Sequence, residues 1–233
     1  MRVRTEARRR AILAAARSVF EEQGFDRASM AEIAERLGGS KTTLYSYYPS
    51  KEDLFVACIE EDLEADAGAL VDLVRGIPDL RRALEEFGKA YLIKAMGPRP
   101  IANYRMLALM PAENGIGRRF YEQGLRQAWL RFAGYLAEQM GAGRLRPGDP
   151  WVMAMHLKGM LEAEHFDRQL LNAEPEPHPA TLERTADNAV EAFLRAYGPQ
   201  VETEVLRETA AARAATRGGK ADGRARRQRP EGR

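Results

Sequence analysis

Apolar residues recur along this chain with the spacing of amphipathic helices, and no stretch shows the period of two expected of a half-buried strand. The first stripe is Ile12, Ala15, Ala16, Val19 and Phe20, at i, i+3, i+4, i+7 and i+8. It predicts a helix from about Arg8 to Gln23, stopped at Gly24 where a left-handed cap is easiest. Ser29 and Glu32 form an S-x-x-E capping box that opens a second, shorter helix, with Ile33 and Leu37 on its buried face and Gly38-Gly39 at its end. Ser40 then caps a third helix carrying Lys41, Thr42, Thr43, Leu44 and Tyr45. Two short helices joined by a glycine turn form a helix-turn-helix.

Ser50 and Asp53 open a long helix that runs to about Val74, where Gly76 and Pro78 break it. Further helical patterns cover 79–95, 101–110, 116–140, 150–171 and 180–197. The breaks between them are GPRP, ENG, GAGRLRPGDP and EPEPHP. The expected fold is all-α, with about nine helices and no internal repeat. After Gly198-Pro199 the chain is rich in Ala, Arg and Gly with little to bury, so 200–233 reads as a basic, disordered tail.

Charge sharpens this picture. The net charge of +2 hides ten Lys/Arg against six Asp/Glu in 1–51, seventeen against twenty-three in 52–200, and nine against five in 201–233. The ends are basic and the middle acidic. Basic ends suit a polyanion, and on charge alone they equally suit solvated termini. The chain has no run of about 18 uncharged apolar residues to span a membrane, and MRVRTEARRR lacks the apolar region of a signal peptide; a cytoplasmic address is the expectation. The one cysteine, Cys58, cannot pair within the chain and is expected as a buried thiol.

The segment SKTTLYSYY has the character of a DNA reader. Leu44 is its only purely aliphatic side chain and should anchor the helix inside. Ser40, Lys41, Thr42, Thr43, Tyr45 and Tyr47 remain free to approach a groove, with hydroxyls and ammonium donating to phosphates. The helix N-terminus would add free N–H groups, and Lys51 would clamp the backbone from the side. Tyr48 is assigned to the core with Leu44 and Phe55.

The run GFDRASMAEIAERLGGSKTTLYSYYPSKEDLF, residues 24–55, closely resembles the DNA-binding signature of the TetR family. Gly39 stands where that pattern has a small aliphatic residue, Thr42 where Gly is common, and Tyr48 where Phe is usual. The resemblance implies that Ser29, Lys41, Thr42, Thr43, Tyr45, Tyr47 and Lys51 occupy DNA-contacting positions. It also implies a helix-turn-helix domain over 1–50, and a larger ligand-binding and dimerisation domain over 51–199. Residues 100–170 look like the C-terminal domain of the AefR-like subgroup.

The implied partners are a palindromic operator in double-stranded DNA, a second copy of the chain and a small, mainly apolar effector. Apolar residues on more than one side of 150–171, together with Ala186, Ala189, Val190, Phe193, Leu194 and Tyr197, suggest a symmetric four-helix interface. Tyr91, Tyr104, Met106, Met110, Phe132, Trp151, Met155 and His156 are the candidate pocket liners, each equally open to a plain core role. Repression relieved by the ligand is the default expectation; an activator or a co-repressor-dependent regulator is the alternative. A helical enzyme with an idle helix-turn-helix and a non-specific binder driven by the tail are the readings from other classes. Enzyme signatures are lacking: Glu162 and His165 have no second Glu-x-x-His, His156 and His165 point to opposite sides of a helix, and no phosphate loop, dinucleotide fingerprint or nucleophile elbow occurs. No cofactor or metal is expected.

Overall fold

The computed structural model describes residues 5–199, in which every regular element is helical. The basic tail foreseen over 200–233 lies outside the described residues. Helix α1 spans Glu6–Gln23, α2 Met30–Arg36 and α3 Lys41–Tyr47. They are followed by the long α4 at Lys51–Arg75, α5 at Leu80–Ala95 and α6 at Pro98–Ala108. The second half holds α7 at Ile116–Arg119, a π-helical turn at Phe120–Leu125, α8 at Arg126–Gly141, α9 at Pro150–Glu162, α10 at Phe166–Leu170 and α11 at Pro179–Tyr197.

Capping chemistry sets the starts. The Ser29 hydroxyl accepts from Glu32 N at 3.2 Å, Ser40 from Thr43 N at 3.2 Å and Ser50 from Asp53 N at 3.0 Å. Helix α6 begins earlier than its apolar pattern suggested. Two prolines in its first turn lack N–H groups that would have had no partner there, so GPRP both breaks one helix and starts the next.

Two expected helices are divided. The 116–140 pattern is interrupted by the π turn. Phe120 and Trp129 lie nine residues apart, half a turn out of phase on an ideal α-helix, yet both belong to clusters built on α4. The wider turn resets the phase so that both reach it. The 150–171 pattern breaks at 163–165, where His165 turns inward to meet Glu174 at 2.8 Å and Thr185 at 3.2 Å. Glu162 and His165 therefore share no helix face, and among the described residues no group of His, Cys, Asp and Glu gathers as a metal site.

Three hydrophobic clusters are threaded by α4. Its Leu54, Ala57 and Cys58 close the cluster of α1–α3 around Ile12, Leu13, Ile33 and Leu44. Phe55, Val56 and Ile59 meet Leu107, Ile116 and Phe120. Leu70, Val71 and Val74 join the largest cluster, between α5, α8, α9 and α11. Burying each such side chain contributes about 1.5–3 kcal/mol before the entropy of ordering it. Helices α5 and α11 approach closely because of Gly88, where a Cβ would lie 3.0 Å from both Ala186 and Leu161.

Phe55 thus leaves the cluster of Leu44 and Tyr48 and stacks edge-on with Phe20 and Phe25 instead. The apolar residues of α11 correct another expectation. Ala186, Ala189, Val190, Phe193 and Tyr197 are buried within the subunit, so they offer no spare apolar face to a partner.

Candidate nucleic-acid interface and effector cavity

Gly38 makes the turn between α2 and α3, with φ of +63° that an L side chain adopts only under strain. Its N–H donates to Glu35 O at 2.9 Å and that of Gly39 to Ala34 O at 3.2 Å, closing the end of α2. The missing side chain at Gly39 leaves room for Arg8, since a Cβ there would fall 2.3 Å from its guanidinium.

Leu44 fixes α3 from below, fully buried, and Tyr48 is buried beside it. Burial pushes the Tyr48 phenol up, and a hydrogen bond from Arg9 opposes that shift. With the inner face anchored, Ser40, Lys41, Thr42 and Tyr45 lie exposed on the other side, and Ser29 is exposed at the start of α2. Thr43 is half-buried and its hydroxyl pairs with that of Ser40 at 2.9 Å. Tyr47 is half-buried too, and its hydroxyl accepts from Thr5 N at 2.9 Å, tying the end of α3 to the start of α1.

Lys51 departs from the expectation. Its ammonium donates to the carbonyls of Phe25 at 2.7 Å, Asp26 at 3.2 Å and Ala28 at 3.1 Å, and sits 4.3 Å from the Phe25 ring centre. An ammonium has three donors, and all three are spent on the α1–α2 loop. Lys51 clamps protein backbone, not a phosphate.

A second feature lies about one helix length further along α4. A cavity of about 110 Å³ opens between α4, α5, α6 and α8. Tyr91, Tyr104 and Phe132 line it as expected, joined by Phe87 and Trp129. The other five candidates lie elsewhere. Met106 lines a separate cleft between α1 and α6, and Met110 packs on the junction cluster of Phe55 and Ile116. Trp151 and Met155 pack against the large core. His156 is exposed and its Nδ1 meets the Tyr197 hydroxyl. Phe87 and Trp129 were legible only as core residues, because the helical period marks a buried face without saying what it borders.

Arg119, at the end of α7, grips the start of α4. It donates to Asp53 Oδ1 at 2.6 Å, to the Asp53 carbonyl at 2.9 Å and to Glu60 at 3.2 Å. Burial raises the Glu60 pKa and Arg119 counteracts it. Leu125, six residues beyond Arg119, borders the cavity, with the π turn between them.

This arrangement, an exposed polar α3 on a tightly cored three-helix unit joined by α4 to a helical body with an internal cavity, defines a helix-turn-helix DNA-binding regulator. The comparisons agree. Residues 12–58 match the family profile for bacterial regulatory proteins of the tetR family, and 82–199 match that for the C-terminal domain of AefR-like transcriptional repressors. The chain belongs to the TetR family of transcriptional regulators.

The transcriptional activator FasR of Mycolicibacterium smegmatis is 32% identical over 90 residues, 39% of this chain and 41% of FasR, so the match spans well under half of that relative. A structure from Mesorhizobium loti MAFF303099, assigned to TetR-family regulators, superposes with a TM-score of 0.73 at 27% identity, covering 84% of this chain and all of that one. The flavonoid-responsive regulator FrrA superposes with a TM-score of 0.60 at 29% identity over 84% of this chain and all of its own. Among the described residues, no helix is long and apolar enough to cross a membrane.

Proposed function

We propose that this chain is a homodimeric repressor, released from a palindromic operator by a small, mainly apolar ligand. The carrying observation is the course of α4. The helix starts at the Ser50 cap, three residues beyond α3, and its middle section, including Leu63, Ala67 and Leu70, walls the cavity. Whatever moves that wall moves the support of α3.

On this reading residues 1–50 bind DNA through Ser29, Ser40, Lys41, Thr42, Thr43 and Tyr45. Lys41 supplies phosphate contact, Tyr45 and Thr42 approach base edges or sugars, and Tyr47 braces the helix. Residues 51–199 hold the ligand and the second subunit. The two recognition helices of the dimer then sit about 34 Å apart, or a multiple of it, to meet successive turns of the major groove. A ligand that expands the cavity favours a dimer with the wrong spacing. A differential affinity of a few kcal/mol suffices to empty the operator. Arg119 carries part of this coupling, since it joins the helical run bordering the cavity to the first turn of α4.

The match of 82–199 to AefR-like repressors supports repression, and the response of FrrA to flavonoids supports a small organic effector. The test is transcript measurement for the genes flanking the bound site, in a strain lacking this chain. Repression predicts that those transcripts rise. A fall would establish an activator and overturn this mode of control.

A further inference from the structure

We infer that the cavity takes an uncharged, single-ring aromatic compound whose hydroxyl or carbonyl group pairs with the hydroxyl of Tyr104. This rests on the effector reading above and names the chemistry of that effector.

The walls are aromatic. Phe87 stacks on Phe132 with ring centres 3.8 Å apart and on Tyr91 at 6.1 Å. Trp129 stands edge-on to Phe87, Tyr91 and Phe132 at 5.0–5.9 Å. Rings offer flat faces and polarised edges, which favour a planar aromatic guest over a saturated one of equal size. The volume of about 110 Å³ suits a compact guest, not an extended chain.

The polar groups exclude a charged guest. Tyr91 is fully committed: its hydroxyl donates to Glu162 and accepts from the Trp129 indole. The other Glu162 oxygen takes Lys158. At the cavity edge Asp66 and Lys94 pair at 2.5 Å. Each ionised group already has its opposite, so an ionised guest would lose hydration without gaining a counter-charge.

Tyr104 is the exception. Its ring is held edge-on between Phe120 at 5.9 Å and Phe166 at 5.2 Å. Burial raises its pKa, so it stays a neutral phenol able both to donate and to accept. Among the described residues nothing hydrogen-bonds its hydroxyl. It is the uncommitted polar handle of an otherwise apolar and balanced cavity.

Equilibrium dialysis of the full-length chain tests this without DNA, using p-cresol as the probe. Its aliphatic counterpart 4-methylcyclohexanol and its anionic counterpart 4-methylbenzoate serve as comparisons, and Tyr104→Phe as the variant. The expected result is saturable binding of p-cresol, at least about tenfold weaker binding of both comparison compounds, and about a tenfold loss in Tyr104→Phe with an unchanged melting temperature. No saturation with p-cresol, equal binding of the saturated alcohol, or stronger binding of the carboxylate would each overturn the inference. So would full affinity in Tyr104→Phe. Because no operator is involved, failure here leaves the DNA-binding reading standing, and failure to find an operator leaves the dialysis result interpretable.

Discussion

Two lysines ten residues apart divide the labour of the reader unit. Lys41 projects from the exposed side of α3, whereas Lys51 spends its donors on three loop carbonyls. Lys41→Ala is expected to weaken binding to all duplexes and to lower the salt-dependence slope by about 0.9, the contribution of one phosphate contact. Lys51→Ala should instead cost about 1.5–3 kcal/mol in chemical denaturation, as hydrogen bonds from a charged donor do, and leave the slope unchanged. A salt slope that falls in Lys51→Ala and not in Lys41→Ala would reverse the assignment.

Cys58 carries a pH signature. It is buried with its thiol directed to Leu13 O at 3.7 Å, and burial pushes its pKa up to about 12. A folded pKa above the unfolded one gives stability that is complete below the ordinary thiol range and is lost as pH climbs from about 9 toward about 12. The folded chain should therefore resist thiol reagents at pH 8, and Cys58→Ala should show a shallower loss of stability above pH 9. Rapid labelling of the native chain would contradict this.

The elements were mostly readable because caps and breakers are local. Ser29, Ser40 and Ser50 each announced a helix by a contact within three residues. Side-chain destinations set by distant packing were not. Nothing near Lys51 in sequence points to carbonyls more than twenty residues earlier, and nothing near His165 points to Thr185. The π turn was hidden as well, since it appears only when Phe120 and Trp129 must meet the same helix.

With α11 facing inward, the surface left for a second subunit includes Val152, His156, Gly159 and Ala163, an exposed stripe at i, i+4, i+7 and i+11 of α9. Gly159→Arg has open space around its Cβ and removes a helix-weakening glycine, so the subunit should fold as well as before. Sedimentation analysis should then find monomers, with operator affinity reduced together with the dimer. A dimer that survives Gly159→Arg would move the interface elsewhere.

The grip of Arg119 belongs to the same scale. Arg119→Met leaves Asp53 and Glu60 without their partner. After allowance for their partial exposure, this should cost about 1–2 kcal/mol and speed amide exchange in the first turn of α4. Unchanged exchange there would detach Arg119 from the coupling route.

For the whole molecule, the account joins one reading surface, one cavity and one helix that touches both. A monomer would present a single half-site, with too few contacts to single out one address among many, whereas a two-fold dimer reads the same half-site twice in inverted order. Sequence preference within each half-site depends on Thr42 and Tyr45, where this chain has its own side chains on an inherited scaffold. The most direct measurement is selection of bound duplexes from a random pool at near-physiological salt with the full-length chain. The account predicts enrichment of a palindrome whose half-sites are spaced by about one helical turn or a multiple of it. Enrichment of a single unrepeated site, or retention of DNA with no sequence preference, would contradict it.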